Sequence, residues 1–541
     1  MQTTRRQFLK STGAAAAVSA LGSFRCSGEK PPNIVLFFSD ELAYDFISCY
    51  GGGVQTPNID KLAREGLRFT HAYCAAPMCT PSRFGVLTGQ YPGRCKHPAF
   101  IQEYPDDQMY SVAWNTYLDQ SHVTLPGLLS RSGYLTGMSG KWHIGPETLG
   151  FPEIDADADL KNEKTDKLLQ ERHRIAAEQV KQDAGFDLAK SVSWGNLDEH
   201  PVRALRHHNF PWITKGTVEL IQDCRQKNKP FFVYAATTAV HGPYHPDQFK
   251  HDLNYTPQGK LEDVEQYQLS QDALNKRLKL APEWMHHKIA GMACLDHHVG
   301  QVMQTLTDLG IEDNTIVIFM GDHNIEPGKA TCYEKGNRVP FIIKWPGHVK
   351  PGQVSPALVQ SVDILPTLLN AAGITLPADH QFDGVDMTPL FKGSDQVRDS
   401  VYLESGYSRA LVDGQYKYIA VRYPQPIVDA MKNGETQYAP NHLDTFKQAH
   451  SQIAIQHFPN YFDQDQLYDL KSDPFEQNNL AGNPDYAKIL KSMKQKLTVR
   501  LGTFSHPYDL QPQPFLYTPE YKLLAKNTKD SGHGLYRLAA A

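Results

Sequence analysis

The chain lacks three features that define common functional classes. It contains 54 Lys and Arg residues among 541, but no Lys- and Arg-rich stretch follows residue 30. Binding to a phosphate backbone needs such a concentration of positive charge, so we do not expect nucleic acid as a partner. No Cys-x-x-Cys pair exists, which argues against a zinc site. After residue 30 no segment approaches the roughly 18 to 20 apolar residues that span a bilayer, so we expect a soluble mature protein.

The composition is that of an ordinary globular protein. Hydrophobic residues make up 40% of the chain and charged residues 21%, and the formal net charge of −5 is spread along it. A length of 541 residues exceeds what one hydrophobic core normally organises. We therefore expect two domains, a large catalytic one at residues 31–398 and a smaller one at residues 399–541.

The first 30 residues differ from the rest of the chain. The sequence TRRQFLK at residues 4–10 precedes an alanine-rich run at residues 12–21, a pattern typical of a twin-arginine export signal. A basic amphipathic helix is the alternative, but the run has no charged face. Cys26 could carry a lipid anchor, although bulky and charged residues precede it where a lipoprotein cleavage site has small ones. We predict a signal peptide at residues 1–30, the twin-arginine export machinery as a partner, and a periplasmic or secreted protein without a lipid anchor.

Removing the signal leaves an odd number of cysteines. The seven that remain are Cys49, Cys74, Cys79, Cys95, Cys224, Cys294 and Cys332. In an oxidising compartment one thiol would stay unpaired and could be consumed by other chemistry. Spacing does not say which cysteines pair, and a chain that folds before export need not contain any disulfide.

Apolar runs alternate with helical patterns between residues 31 and 398, which predicts a doubly wound α/β sheet flanked by helices. The run NIVLFFS at residues 33–39 is typical of a strand buried on both faces. Other strands are predicted at residues 134–139, 231–236, 315–320 and 341–344, and helices from Pro57, from Pro81, at residues 125–131 and at residues 284–309. Short strands at residues 401–403, 410–412 and 416–419 predict a C-terminal α+β domain with an antiparallel sheet.

Four of the predicted strands are followed by segments with charged or imidazole side chains. The residues at these positions are Asp40 and Glu41, Lys141 and His143, His241, and Asp322 and His323. Ligand sites in open α/β sheets lie outside the carboxyl ends of the strands, so we expect these side chains to converge. Carboxylates suit Ca²⁺ or Mg²⁺, while lysines and histidines can neutralise an anion and transfer protons. Each residue alone could equally be a helix cap, a loop histidine or a solvated charge.

One short motif resembles a known family. Residues 79–83, Cys-Thr-Pro-Ser-Arg, stand four residues before Thr88 and Gly89, as in the signature of the formylglycine-dependent (type I) sulfatases. Other segments look like blocks of that family in the family's order: PNIVLFFSDE, TPNIDKLAREG, GYLTGMSGKWHIG, GDHN, GKATCYEKGNRVP and LYDLKSDPFEQNNL. The resemblance implies an alkaline-phosphatase-like fold with a mixed sheet, and it points to a bacterial carbohydrate sulfatase.

The resemblance also implies a reaction. A formylglycine-generating maturation enzyme, as a partner, would oxidise Cys79 to an aldehyde, and the hydrated aldehyde would be a gem-diol. One hydroxyl would attack the sulfur of a sulfate ester and displace the alcohol, and the second would lose its proton and expel sulfate, which regenerates the aldehyde. A serine would lack the second hydroxyl. The helix that begins near Cys79 would favour a bound anion at its N-terminus.

The family's metal site implies a ligand set in this chain. Its members would be Asp40, Glu41, Cys79 as formylglycine, Asp322 and His323. We expect calcium, with magnesium as the alternative. Glu41 stands where the family usually has Asp, and an imidazole from His323 beside carboxylates leaves the identity of the metal open.

Other residues carry catalytic roles by the same resemblance. The catalytic set would be Cys79, Arg83, Lys141, His143, His241 and Lys329. Arg83 would orient the formylglycine, His143 would assist the diol, and one of His241 and Lys329 would protonate the leaving alcohol. Glu334 and Arg338 are interpreted as a structural ion pair. Histidine pairs at residues 207–208, 286–287 and 297–298 are expected at the surface, because neighbours on a helix point about 100° apart.

The substrate is less tightly predicted. Between Pro92 and Leu125 the chain carries His97, Phe100, Tyr104, Tyr110, Trp114, Tyr117 and His122, and Tyr244 and His245 follow His241. Such rings could stack on sugars or could simply pack irregular loops. Together with export, they favour a sulfated polysaccharide or oligosaccharide. The alternatives are a small aryl sulfate, a phosphate or phosphonate monoester hydrolysed on the same fold, and a non-catalytic glycan-binding protein with a dead site.

Overall fold

The computed structural model describes residues 30–146, 149–242, 251–279, 286–325, 327–433 and 454–513. The predicted signal peptide with Cys26 lies outside the described residues, and so do Tyr244 and His245. No helix in these ranges is long and apolar enough to cross a membrane. All seven cysteines that follow the signal are described, and none of them forms a disulfide.

Strands and helices are interspersed through the described residues up to 371. The strands are β1 (Asn33–Ser39), β2 (Leu67–Tyr73), β3 (Leu135–Lys141), β4 (Leu188–Ser193), β5 (Phe231–Thr237), β6 (Tyr255–Thr256), β7 (Gly259–Lys260), β8 (Thr315–Gly321), β9 (Phe341–Lys344), β10 (Gln353–Gln360), β11 (Val401–Ser405), β12 (Ser408–Val412), β13 (Tyr416–Val421) and β14 (Asp465–Asp469). The α-helices are α1 (Pro57–Glu65), α2 (Cys79–Thr88), α3 (Pro98–Glu103), α4 (Leu125–Arg131), α5 (Glu163–Ala184), α6 (Phe210–Gln226), α7 (Gln271–Leu278), α8 (His286–Asp308), α9 (Glu334–Asn337), α10 (Ile364–Ala371), α11 (Thr388–Phe391), α12 (Gln425–Lys432) and α13 (Ala487–Leu501).

The main sheet has eight strands in the order β10-β2-β9-β8-β1-β5-β3-β4. Strand β9 runs antiparallel to β2 and β8, and the remaining neighbours pair in parallel. The sheet is therefore mixed, as the family resemblance implied. Side chains of β1 alternate between two cores, because successive residues of a strand point to opposite faces. Leu36 packs in the core shared with α2, α4, α5 and α10, and Phe37 packs in the core shared with α1, α6 and α8. Helices on both faces confirm the doubly wound α/β prediction.

Strand order brings the candidate residues together. The strands β8, β1, β5 and β3 are consecutive in the sheet and parallel to one another. Their carboxyl ends therefore lie at one edge, where ligand sites of such sheets are found. Asp40 follows β1, Lys141 ends β3, and Asp322 follows β8. Chain segments that are far apart in sequence consequently meet at this edge.

The C-terminal part contains a four-stranded antiparallel sheet in the order β11-β12-β13-β14, against which α13 packs. The three strands predicted here are present but longer than expected, and Asp413 and Gly414 lie in the turn between β12 and β13. The chain after residue 424 contributes α12, β14 and α13. A buried ion-pair cluster joins this sheet to α9, because Lys417 Nζ lies 2.9 Å from Glu334 Oε1. The domain boundary at residue 399 stays a prediction.

Candidate active site

Cys79 lies at the first turn of α2, two residues earlier than the predicted helix start at Pro81. Every residue of α2 is buried, so the helix is held inside the molecule rather than on its surface. The Cys79 Sγ lies 3.2 Å from Asp40 Oδ1, 3.1 Å from His323 Nε2 and 3.5 Å from Lys141 Nζ. Burial, reinforced by the nearby Asp40 carboxylate, raises the pKa of the Cys79 thiol well above its usual range. The side chain is thus a neutral thiol enclosed by charged groups.

Four side chains form a buried group that could hold a cation. One ligand atom each from Asp40, Cys79, Asp322 and His323 lies within 4.8 Å of all the others. His323 Nδ1 is 2.7 Å from the carbonyl oxygen of Asn324. A carbonyl oxygen can only accept, so Nδ1 carries the proton and the lone pair of Nε2 is left for a ligand. Two carboxylates, an imidazole nitrogen and the Cys79 side chain fit a divalent cation, with calcium or magnesium favoured by the carboxylates and an imidazole less typical of either.

Arg83 ties the two carboxylates of this group together. Its side chain is fully buried, and one terminal nitrogen lies 2.9 Å from Asp322 Oδ2 and 3.7 Å from Asp40 Oδ1. The other terminal nitrogen donates to the backbone oxygen of Lys141 at 3.1 Å. The guanidinium therefore spans the ends of β8, β1 and β3. Because Arg stays charged at any physiological pH, it offsets negative charge that burial would otherwise make costly.

Lys141 is buried with its ammonium group in the centre of the site. Nζ lies 2.5 Å from Asp40 Oδ2 and 2.5 Å from Asn196 Oδ1. Burial alone would lower the pKa of Lys141, but the Asp40 carboxylate raises it above its ordinary value. The group is consequently a permanent cation beside Cys79.

Glu41 lies outside the four-residue group and contacts two other predicted site residues instead. Its Oε2 lies 2.8 Å from Lys329 Nζ and 3.4 Å from His241 Nε2. The backbone at Glu41 adopts a φ of 53°, and its amide donates to Asp322 Oδ1 at 2.9 Å. This turn directs the longer side chain towards the cations. Although burial alone would raise it, the Lys329 ammonium holds the pKa of Glu41 at about 2. Its role as a metal ligand stays a prediction.

Two histidines border the site as neutral imidazoles. Burial and the neighbouring Lys141 lower the pKa of His143 well below its ordinary value, and burial with Lys329 lowers that of His241 to about 4. His143 Nε2 lies 3.7 Å from Glu199 Oε1, and its buried Nδ1 has no hydrogen-bond partner among the described residues. His241 Nδ1 is 2.7 Å from the carbonyl oxygen of Gly242. Both rings can therefore exchange protons with a bound molecule.

Sequence reasoning missed three residues of this region. Asn196 and Glu199 follow β4, a strand that was not predicted, although a polar cluster after a strand is the signal that found the others. His208 is buried, and its Nε2 lies 2.9 Å from the backbone oxygen of His241. The expectation that the histidine pairs lie at the surface is wrong for His207, His208 and His298, which are at most 5% exposed. The spacing of adjacent histidines does not predict this burial, because the residues that cover the rings are distant in sequence.

A cavity of about 490 Å³ adjoins the site. Thr80 and His143 of the site line the cavity, together with residues of α5 and of the loops after β3 and β4. Trp114 and Tyr117 of the aromatic-rich segment also line it, whereas Phe100 and Tyr110 of the same segment are buried in the core. Its volume lies in the roughly 300 to 1,000 Å³ typical of ligand cavities.

The chain is similar in sequence and fold to several known proteins. Residues 32–374 match the protein-family model described as Sulfatase, and residues 2–22 match the twin-arginine translocation signal, which indicates export to the periplasm. Human arylsulfatase A is 31% identical over 507 residues, 86% of this chain and 87% of that protein. The N-acetylgalactosamine-6-O-sulfatase of Bacteroides thetaiotaomicron is 26% identical over 545 residues, 87% and 93% of the two chains. The crystal structure of the PsFucS1 sulfatase from Pseudoalteromonas sp. shares the fold, with a TM-score of 0.56, 21% identity and coverage of 89% and 92%.

Proposed function

The chain belongs to the sulfatase family, and from this premise we propose that it removes sulfate from a sulfated polysaccharide or oligosaccharide through an aldehyde formed from Cys79. The enzyme is a sulfuric ester hydrolase with a twin-arginine signal for export. Our proposal concerns the glycan substrate, the formylglycine, the metal and the roles of individual residues.

The observation that carries the proposal is the surroundings of Cys79. The side chain lies at the N-terminus of a buried helix and within 3.5 Å of Asp40, His323 and Lys141. A thiol has no structural need for a carboxylate, an imidazole and an ammonium group as neighbours. The same neighbours suit a hydrated aldehyde, which has hydroxyl groups to be deprotonated and oxygen to be held. Hydration of the aldehyde would supply the hydroxyl that attacks sulfur.

The cations around Cys79 suit a sulfate ester. Lys141 and Lys329 are buried lysines that pair with Asp40 and Glu41 respectively, and the N-terminal amides of α2 add positive potential. Sulfate held among them would lose much of its charge repulsion with an attacking oxygen. His143 would accept a proton from the hydrated aldehyde.

The leaving alcohol needs a proton at the moment the sulfur-oxygen bond breaks. His241 and Lys329 are the two candidates, and both lie within 3.4 Å of Glu41 Oε2. Glu41 would hold these two donors in place and balance the charge on Lys329. Lys329, whose pKa is raised by Glu41 despite its burial, would act as a general acid directly, whereas His241 would do so only after taking up a proton.

A divalent cation would be held by Asp40, Asp322 and His323 together with the modified Cys79 side chain. When bound, such a cation would withdraw electron density from an oxygen ligand and stabilise negative charge on it. Arg83 contacts both carboxylates and would keep them oriented towards the ligand atoms. We expect calcium, with magnesium as the alternative.

A sulfate-release screen across sulfated glycans tests the proposal. Protein produced together with a formylglycine-generating enzyme should release sulfate from at least one glycan, and Cys79→Ala should lose this activity while keeping its fold. Cys74→Ala is the matched control, because Cys74 is also buried and lacks a disulfide but lies outside the group around Cys79. Peptide mass analysis should find an aldehyde in place of the Cys79 thiol. Full activity of Cys79→Ala, or faster turnover of phosphate esters than of sulfate esters, would overturn the proposal.

A further inference from the structure

The cavity beside the active site contains a cation that catalysis does not use. Arg172 projects from α5 into the cavity wall, and its guanidinium carbon lies 3.9 Å from the centre of the Phe151 ring. Phe151 in turn packs edge-on against Trp194, with ring centres 5.7 Å apart. A guanidinium stacked on an aromatic face keeps its planar fork of donors available at its edges. The side chain is half-buried, so these donors are only partly hydrated.

Within the described part of the chain Arg172 has no carboxylate partner, unlike three other cations of its helix. Among the described residues no Asp or Glu lies within ion-pair distance of it, and burial lowers its pKa without any opposing carboxylate. Three other cations of α5 pair with acids on the same helix: Lys167 with Glu163, Arg174 with Glu171, and Lys181 with Glu178. A half-buried Arg without a counter-ion is costly unless a ligand supplies the negative charge.

A second donor lines the same cavity. The Val202 amide donates to His200 Nδ1 at 3.2 Å in the tautomer that carries its proton on Nε2, whereas in the other tautomer Nδ1 donates to the Val202 carbonyl oxygen at 3.3 Å. A bound anion would select the first tautomer, in which Nε2 is a donor. This Nε2 is buried and has no hydrogen-bond partner among the described residues. Glu199, the acid in the cavity wall, is engaged by Asn196 through its backbone amide at 3.0 Å and its side-chain amide at 2.7 Å. Its charge is therefore held at the end of the cavity near His143 and does not satisfy Arg172.

We propose that Arg172 and His200 form a subsite for a second anionic group of the glycan, either the carboxylate of a uronic acid or a second sulfate. This inference rests on the proposed function, since Thr80 and His143 connect the cavity to the reacting centre. A sugar whose sulfate reaches Cys79 would extend along Trp194, which offers an apolar face for a pyranose ring. The guanidinium fork matches the two oxygens of a carboxylate or of a sulfate. The subsite selects substrates by charge, at a distance from the bond that breaks.

Binding of matched disaccharides tests the subsite separately from turnover. The probes are built on N-acetylgalactosamine 6-sulfate and on N-acetylglucosamine 6-sulfate, each linked to a neutral hexose, linked to a uronic acid, or carrying a second sulfate. Affinities are measured by titration calorimetry at fixed ionic strength in a Cys79→Ala background, which prevents hydrolysis. Arg172→Gln should weaken binding of the uronate or the disulfated probes about tenfold. It should weaken binding of the probes that carry only the 6-sulfate and a neutral hexose less than twofold. Arg172→Lys, which keeps the charge but not the fork, should lose less than Arg172→Gln.

Arg174→Gln is the matched control, because Arg174 lies two residues away on the same helix and pairs with Glu171 outside the cavity. It should leave every affinity unchanged. Two results would overturn the subsite. One is that Arg172→Gln lowers the affinity for singly and doubly anionic probes equally. The other is that the protein with Arg172 intact binds the doubly anionic probes no more tightly than the singly anionic ones on either sugar. The relative response of the uronate and disulfated probes identifies which anion is bound. Absence of sulfate release from every ester by the matured enzyme would instead refute the proposed function, whatever the binding data show.

Discussion

The carboxylate of Glu41 lies 2.8 Å from the ammonium group of Lys329, and the two residues come from the ends of different segments, after β1 and after β8. Lys329 is 3% exposed, so it depends on Glu41 for charge balance. Glu41 has one methylene group more than the Asp that the family resemblance led us to expect at this position. Its longer side chain reaches across the site to the cation that would bind sulfate.

This contact predicts a coupled effect on stability. Glu41→Gln and Lys329→Met should each lower the free energy of unfolding. The loss in the double variant should be smaller than the sum of the two single losses by about 1 to 3 kcal/mol. Urea unfolding of the four proteins measures the coupling. Pairing Glu41→Gln with Lys335→Met is the control, because Lys335 contacts Asp45 instead. Additive effects for Glu41 and Lys329 would show that they do not interact in solution.

The buried group of four ligands predicts that calcium stabilises the folded protein. A ligand that binds only the native state adds about 2.7 kcal/mol at a concentration 100 times its Kd. The Tm of the enzyme should therefore rise with added calcium and fall after chelation. Asp40→Asn and His323→Ala should abolish the rise, whereas Asp45→Asn, which lies outside the group, should retain it. A calcium response that survives in Asp40→Asn would place the ion elsewhere.

The buried strands were the most predictable part of the fold. β1 has the predicted bounds, because a strand covered on both faces is apolar along most of its length. The strands β5 and β8 were placed within one residue at either end for the same reason, and β3, which is more polar, within two. β4 was missed because its faces are only partly covered and its sequence, LAKSVS, has no apolar run.

Convergence of the site was predictable, but its internal pairing was not. The predicted strand ends indicated that Asp40, Lys141 and Asp322 lie close together. They did not indicate that Glu41 points towards Lys329, because that direction depends on a backbone φ of 53° at Glu41. The pairing of Lys141 with Asn196 likewise depends on the register of β3 and β4, which shifts between Ser139 and Gly140.

Gly140 predicts a steric requirement just before Lys141. Its φ is 91°, and a Cβ there would lie 1.7 Å from the backbone oxygen of Ala236 on β5. Gly140→Ala should therefore cost several kcal/mol, since backbone of a central strand must move, and it should displace Lys141 from Cys79. Gly133→Ala is the matched control, because Gly133 has a φ of 93° but open space around it. Its cost should be limited to the roughly 1 to 2 kcal/mol of left-handed backbone strain. Equal unfolding free energies for the two variants would contradict the clash.

The ion-pair cluster that joins the C-terminal sheet to α9 predicts a pH-dependent stability. Lys417 is fully buried between two carboxylates, with Glu334 Oε1 at 2.9 Å and Glu476 Oε1 at 3.0 Å. Burial, reinforced by Glu334, raises the pKa of Glu476 to about 7 despite the opposing effect of Lys417. The native state therefore binds a proton at Glu476 more tightly than the unfolded chain, where the pKa is about 4.5. By linkage this contribution to stability is complete below pH 4.5 and is lost as the pH rises towards 7.

Glu476→Gln should remove this loss, because the amide imitates the protonated acid and its oxygen can still accept from the Glu334 amide. Relative to the wild type, the variant should gain stability between pH 5 and pH 8. Lys417→Met should instead cost about 3 to 5 kcal/mol at pH 8, since it leaves two buried carboxylates without a cation. Unfolding free energies across this pH range measure both effects, and the curve of the exposed-site variant Glu171→Gln should run parallel to the wild type. Parallel curves for Glu476→Gln and the wild type would mean that Glu476 is ionised in the native protein throughout, with Lys417 balancing both carboxylates.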